Sequence, residues 1–127
     1  MQLRSDQSYR DLIAWQKGIA LVESVYRLTA GWPSDERLGL VAQARRSAVS
    51  VPANIAEGAG RSGTREFRHH LSMAHGSLCE LETHLIVAQR LGFESRVPAN
   101  SVLDQTAEVG RLLRGLIRSL DRTVSGG

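Results

Sequence analysis

The sequence predicts an all-α protein, folded as an antiparallel up-and-down four-helix bundle. Three observations predict it. Apolar residues recur three and four apart in four separate segments, the period of one helix face. Short joints containing glycine, proline or serine separate those segments, which favours antiparallel neighbours. No run alternates valine or threonine with polar residues between hairpin turns, so strands are not indicated.

The first helix is expected over residues 12 to 30, with Leu12, Trp15, Ile19, Val22 and Tyr26 on its buried face and Asp11 as its cap. Gly31-Trp-Pro33 ends it, because glycine accepts a left-handed C-cap and proline resists continuation. Ser34 is the expected cap of the second helix, with Asp35 and Glu36 in its first turn, where the amide dipoles favour negative charge. That helix buries Leu40, Ala44, Ala48, Val51 and Ile55. The third begins near Thr64, capped by Ser62 or Thr64, and carries Phe67, Leu71, Ala74, Leu78, Leu81, Leu85 and Ala88 before Gly92 closes it. The fourth starts between 98 and 102 and carries Val102, Thr106, Val109, Leu113, Leu116 and Leu120. Each stripe is too narrow to be covered unless several helices pack together. The expected layout is an N-terminal arm over 1–10, a bundle domain over 11–120 and a frayed tail over 121–127.

The 127 residues, 42% of them hydrophobic, suit one domain. A single cysteine, Cys79, excludes an intrachain disulfide and hence a bridged secreted scaffold. No signal-like segment opens the chain and no apolar run is long enough to span a bilayer, so a cytoplasmic location is expected. The formal charge is +3. Every basic residue except Lys17 is arginine, whose planar fork of donors suits phosphate and carboxylate.

The run Ser47-Ala-Val-Ser-Val-Pro-Ala-Asn-Ile-Ala-Glu-Gly-Ala-Gly-Arg61 has the spacing of a buried helix but contains a proline, an asparagine and a glutamate. Pro52 removes one backbone hydrogen bond, frees a carbonyl near residue 48 and bends the helix; Ser50 or a water is the expected partner of that carbonyl. Asn54 and Glu57, three apart, share a face and need partners if it is interior. Gln16 or Gln43 is expected for Asn54, and Arg45, Arg46 or Arg61 for Glu57. The structural polar cluster so predicted is Gln16, Gln43, Arg46, Ser50, Asn54, Glu57 and Glu80. The following Gly58-Ala-Gly60-Arg61-Ser62-Gly63 is not a nucleotide loop, since no strand feeds it and the lysine–hydroxyl ending is missing. It is read as a turn into the third helix.

Asp11-Leu-Ile-Ala-Trp-Gln-Lys17, Glu36-Arg-Leu-Gly-Leu40, Gln43-Ala-Arg-Arg-Ser-Ala-Val-Ser-Val-Pro-Ala-Asn-Ile-Ala-Glu-Gly58 and Gly76-Ser-Leu-Cys-Glu-Leu-Glu82 together resemble the four-helix bundle proteins encoded in intervening sequences of bacterial 23S ribosomal RNA, the S23-type family. The resemblance covers about residues 11 to 120. It extends to the accessory variability determinant of diversity-generating retroelements, which shares the fold. It implies an up-and-down bundle assembling as a ring-like homopentamer, and a basic surface that in the accessory determinant meets nucleic acid and a reverse transcriptase. It implies no enzyme activity and no catalytic residue.

Two groups of arginines are the candidate nucleic-acid contacts. Arg61, Arg65 and Arg68 gather at the start of the third helix, whose open backbone amides also favour anions. Arg111, Arg114, Arg118 and Arg122 are spaced three or four apart along the fourth, forming a line that can follow a phosphate backbone. The bland alternative is a solvated face, or pairing with Asp35, Glu36 or Glu94 of another subunit. A metal centre is not expected: His69 and His70 point in different directions, and although Glu80 and His84 are four apart, no Glu-x-x-His pair occurs. Glu80 or Glu82 is expected to pair across the bundle with Arg45 or Arg46, and Cys79 to be a buried small hydrophobe.

Trp32 in a loop, Phe93, and the helical glycines Gly18, Gly39, Gly76, Gly110 and Gly115 are read as signs of self-association. The expected function is therefore a non-enzymatic, self-associating scaffold with RNA or DNA as a partner and no cofactor. The alternatives are a protein-binding adaptor that does not need nucleic acid and, more remotely, a metal-dependent enzyme.

Overall fold

A computed structural model describes residues 8–61, 63–93 and 96–126. Four helices make the fold: α1 (Ile13–Thr29), α2 (Ala42–Gly60), α3 (Thr64–Leu91) and α4 (Arg96–Gly126). They run up and down around one core, α1 packing on α2 and α4, and α3 on α2 and α4. No strand occurs among the described residues.

The ends of the helices differ from expectation in instructive ways. Asp11 does not cap α1. It completes a capping box one turn earlier, in which Ser8 Oγ accepts from the Arg10 amide and Asp11 Oδ2 accepts from the Ser8 amide at 3.1 Å. Tyr9 packs edge-on against Trp15, ring centroids 5.4 Å apart. The first seven residues of the expected arm lie outside the described residues. Ser34 does not cap α2 either: it opens a short 3-10 turn, Ser34–Glu36, followed by a loosened turn over Arg37–Val41. There Glu36 Oε1 accepts from the Leu40 amide at 3.1 Å, so the glutamate two residues on takes the capping role. Gly63 occupies the N-cap position of α3 at φ 104°, and Gly92 closes the helix in the left-handed conformation, φ 77°. The expected Ser62 cap lies outside the described residues. Helix α4 starts at Arg96, earlier than the 98–102 window; Pro98 then sits in the first turn, where its missing N–H costs nothing. The helix continues to Gly126.

The stripes on α2, α3 and α4 bury the residues their spacing predicts, with Leu40 and Leu116 half-buried. That on α1 is rotated. Ala14, Gly18, Leu21, Val25 and Leu28 are buried, whereas Ile19 and Tyr26 are exposed and Trp15 and Val22 half-buried. The cause is Pro52. Its ring, buried inside α2, lies against Gly18, where an added Cβ would come within 3.4 Å of Pro52 Cβ. Gly18, with no side chain, thus accepts the proline, and the bulky residues turn to the flanks. Tyr26 instead offers its ring to Arg45, whose guanidinium carbon lies 4.4 Å from the centroid. Arg45 also donates to Thr29 Oγ1 at 2.9 Å and to the Tyr26 carbonyl at 3.3 Å, satisfying the C-terminal end of α1.

Trp32 is not an exposed interface residue. It is 5% exposed and packs against Phe93, centroids 6.1 Å apart, closing the end of the core opposite Tyr9. Cys79 is also reversed: it is exposed, because it lies one position beyond Leu78 on the outer flank of α3.

A half-buried polar layer joins α2 and α3. Asn54 Nδ2 donates to the Ser50 carbonyl at 2.9 Å and to Ser50 Oγ at 3.0 Å, and Ser50 Oγ shares a 2.8 Å bond with Ser77 Oγ. A carbonyl accepts only, so the amide orientation is fixed and Asn54 Oδ1 faces His70 Nδ1 at 3.2 Å. That ring nitrogen therefore carries the hydrogen. Ser50 is committed to this layer rather than to the carbonyl near residue 48. Asn54→Ala should cost about 1 kcal/mol in urea unfolding, because it strands the His70 donor in a partly buried place; Asn54→Asp keeps that acceptor.

Candidate nucleic-acid interface

The antiparallel arrangement brings the C-terminal ends of α2 and α4 beside the N-terminal end of α3. Two contacts establish this: Gly58 abuts His70, and Arg68 reaches Asp121. The start of α1 lies at the same end, where Asp11 to Ala14 line a cavity with Leu112, Leu116 and Ser119 of α4. Arg61, Arg65, Arg68, Arg118 and Arg122 consequently share one end of the bundle, although 61 residues separate the first from the last.

These five arginines are not equivalent. Arg68 Nε donates to Asp121 Oδ1 at 2.6 Å and Nη2 to Oδ2 at 3.4 Å, a two-point fork that ties α3 to α4. The hydrogen bond from Arg68 holds the Asp121 carboxyl below its ordinary range, and the same bond raises the Arg68 guanidinium. Arg61 Nη2 meets Glu57 Oε1 at 2.8 Å, and that hydrogen bond lowers the Glu57 carboxyl. Arg65, Arg118 and Arg122 are exposed and have no acidic partner among the described residues.

Both carboxyls are depressed in the folded state, so their contribution is present above the unfolded carboxylate range and is lost as pH falls through the folded value. Acid titration of the unfolding midpoint should therefore show a less steep acid limb in Asp121→Asn than in the parent. Equal limbs would mean that the fork is not formed in solution.

The line on α4 divides. Arg118 and Arg122 join the basic end, whereas Arg111 and Arg114 lie farther along the helix and line a cavity against α3. The residues expected to form one polar cluster also disperse. Ser50 and Asn54 form the half-buried layer between α2 and α3, but Gln43 accepts from Arg46 on the exposed side of α2, and Gln16 Nε2 donates to the Arg10 carbonyl at 2.9 Å. Glu57 and Glu80 are exposed. Neither Arg45 nor Arg46 pairs with Glu80 or Glu82: Arg45 serves α1, and Arg46 turns to Gln43. Sequence reasoning missed His70 as the partner of Asn54 and Ser77 as the partner of Ser50. The available signal was their position on the flank of the α3 stripe that faces α2.

Among the described residues, no three His, Cys, Asp or Glu side chains come together to hold a metal, and no helix is long and apolar enough to cross a membrane.

These features define an all-helical four-helix bundle protein with a polar layer inside and a basic end. The family model described as 23S rRNA-intervening sequence protein matches residues 10–115, and the chain belongs to that family. A solved structure described as a protein of unknown function from the S23 ribosomal protein family of Bacteroides thetaiotaomicron is similar in fold, with a TM-score of 0.75 and 21% identity, covering 83% of this chain and 98% of that one. Comparison with curated proteins finds no match.

Proposed function

We propose that this protein is a non-enzymatic, self-associating helical scaffold whose basic end holds the phosphate backbone of structured RNA. The observation that carries this reading is the convergence of Arg61, Arg65 and Arg68 with Arg118 and Arg122, two groups far apart in sequence, on one end of the bundle. Arginine forks suit phosphate, and such contacts position a polymer without reading its bases. The family's description, which ties it to 23S ribosomal RNA intervening sequences, favours RNA over DNA.

Self-association is supported by side chains that this single chain leaves uncovered. Leu38 is 92% exposed and Leu91 61%, and Gly76 has nothing within 4 Å of where a Cβ would stand. The homopentamer that the family resemblance implies would repeat a weak basic end around a ring and strengthen binding by multivalency. Sedimentation equilibrium measures the assembly directly.

Binding of structured RNA and of duplex DNA, titrated against salt, tests the proposal. The expected result is salt-dependent binding, tighter for RNA. No measurable binding to either at low salt would overturn it. Partners that survive nuclease treatment and persist with the arginines neutralised would favour the adaptor instead.

A further inference from the structure

Between α3 and α4, nearer the middle of the bundle than the basic end, lies a cavity of about 310 Å³. Its lining includes the exposed Arg111 and Arg114, neither of which is paired with a carboxylate among the described residues. Arg114 Nη1 lies 3.4 Å from His75 Nε2. A guanidinium only donates, so this contact engages the lone pair of Nε2 and leaves the other donors of Arg114 unengaged. Gly110 makes room for that placement: an added Cβ there would come within 3.4 Å of both Arg114 Nη1 and Leu78 Cδ2. The one acid on the lining is Glu82, so positive charge prevails.

The rest of the lining is mixed: Leu78, Ala107 and the bare Cα of Gly110 are apolar, while His75, Cys79, Glu82 and Thr106 are polar. A cavity of this size matches the small end of ligand pockets and exceeds what a lone phosphate fills. Two forks without a carboxylate partner, on a lining that also offers the apolar Leu78, Ala107 and Gly110, suit a ligand with an anionic head and a less polar body.

We propose that the α3–α4 cavity binds a phosphate monoester of nucleotide size, its phosphate between Arg111 and Arg114 and its base or sugar against Leu78 and Gly110. Two sources share that chemistry: a free mononucleotide and the phosphorylated end of an RNA strand. Only the second rests on the RNA-binding function proposed above.

The single cysteine provides the readout, because exposed Cys79 lies on the same lining, with Sγ 3.9 Å from His75 Nδ1. Its alkylation by neutral iodoacetamide is followed by mass spectrometry with uridine 5′-monophosphate or uridine present. The nucleotide should slow alkylation about fivefold at saturation and uridine should not, since the guanidiniums grip the phosphate. Arg114→Gln should weaken that protection about tenfold in nucleotide concentration, the loss of one charge-assisted contact, while Arg118→Gln leaves it unchanged. Absent protection, or equal protection by uridine, overturns the proposal.

Short RNAs with a 5′-phosphate or a 5′-hydroxyl then separate the sources. Protection by the phosphorylated strand alone assigns the RNA end, and protection by the mononucleotide alone assigns the free ligand. Backbone binding is measured separately on 5′-hydroxyl RNA. If that fails while the mononucleotide still protects Cys79, the RNA reading falls and the cavity stands.

Discussion

Replacing Arg65, Arg118 and Arg122 together by glutamine should remove most RNA binding and nearly all of its salt dependence. Each phosphate neutralised on a duplex contributes about −0.9 to the slope of log affinity against log salt. Arg61 and Arg68 are already engaged by Glu57 and Asp121, so the parent chain presents three unpaired arginines at this end and a slope of about −2.7 per subunit is expected. Affinity should then fall about 40-fold between 50 and 200 mM salt. The triple variant should bind weakly and with a nearly flat slope. Asp121→Asn should act in the opposite sense, releasing Arg68 and steepening the slope by about one contact. A slope that the triple variant leaves intact would place the RNA elsewhere on the protein. A parent slope near twice the single-chain value would show two subunits engaged at once.

Gly58→Ala should destabilise the fold by about 2 kcal/mol, although alanine is the better helix former. The propensity gain is about 1 kcal/mol. Against it stands a new methyl 2.5 Å from His70 Cβ and 3.2 Å from both His70 Cγ and Phe67 Cδ1. A Cβ cannot rotate away, so α2 and α3 must separate. That separation stretches the Asn54–His70 bond and loosens Phe67, in the range where overpacking costs about 1–3 kcal/mol or more. Gly76→Ala is the control. It meets no atom within 4 Å in the single chain and should gain up to about 1 kcal/mol in urea unfolding of the monomer. Equal midpoints for the two variants would show that α2 and α3 do not approach as described. A Gly76→Ala variant that folds well but dissociates would locate Gly76 in the subunit contact.

The legibility of the site followed the range of the interactions that build it. Asn54 was recognisable as needing partners because an amide on a mostly buried helix is costly unless bonded. Its partner across the helices was not recognisable, since His70 reaches it, and Ser77 reaches the neighbouring Ser50, only through the pairing of α2 with α3. The same limit divided Arg111 and Arg114 from Arg118 and Arg122. One helical line in the sequence becomes two environments once α3 lies beside it and brings His75 to one part and Arg68 to the other. Cys79 and Trp32 were misread for a related reason. A residue at the edge of a stripe is covered or uncovered according to which neighbour stands there, and Phe93 covers Trp32 whereas nothing covers Cys79.

Sequence by itself determined the number of helices, the limits of α1 and α3 to within a few residues, the buried stripes of α2, α3 and α4, and membership of the bundle family. Those properties depend on spacing and on local backbone chemistry, which neighbours along the chain carry. Tertiary structure alone decided the rotation of α1, the partners of Asn54 and the gathering of five arginines at one end. The α1 face shows why: its larger apolar residues mark one stripe, but the Pro52 ring lies against Gly18, and steric fit between helices overrides the hydrophobic period of either one.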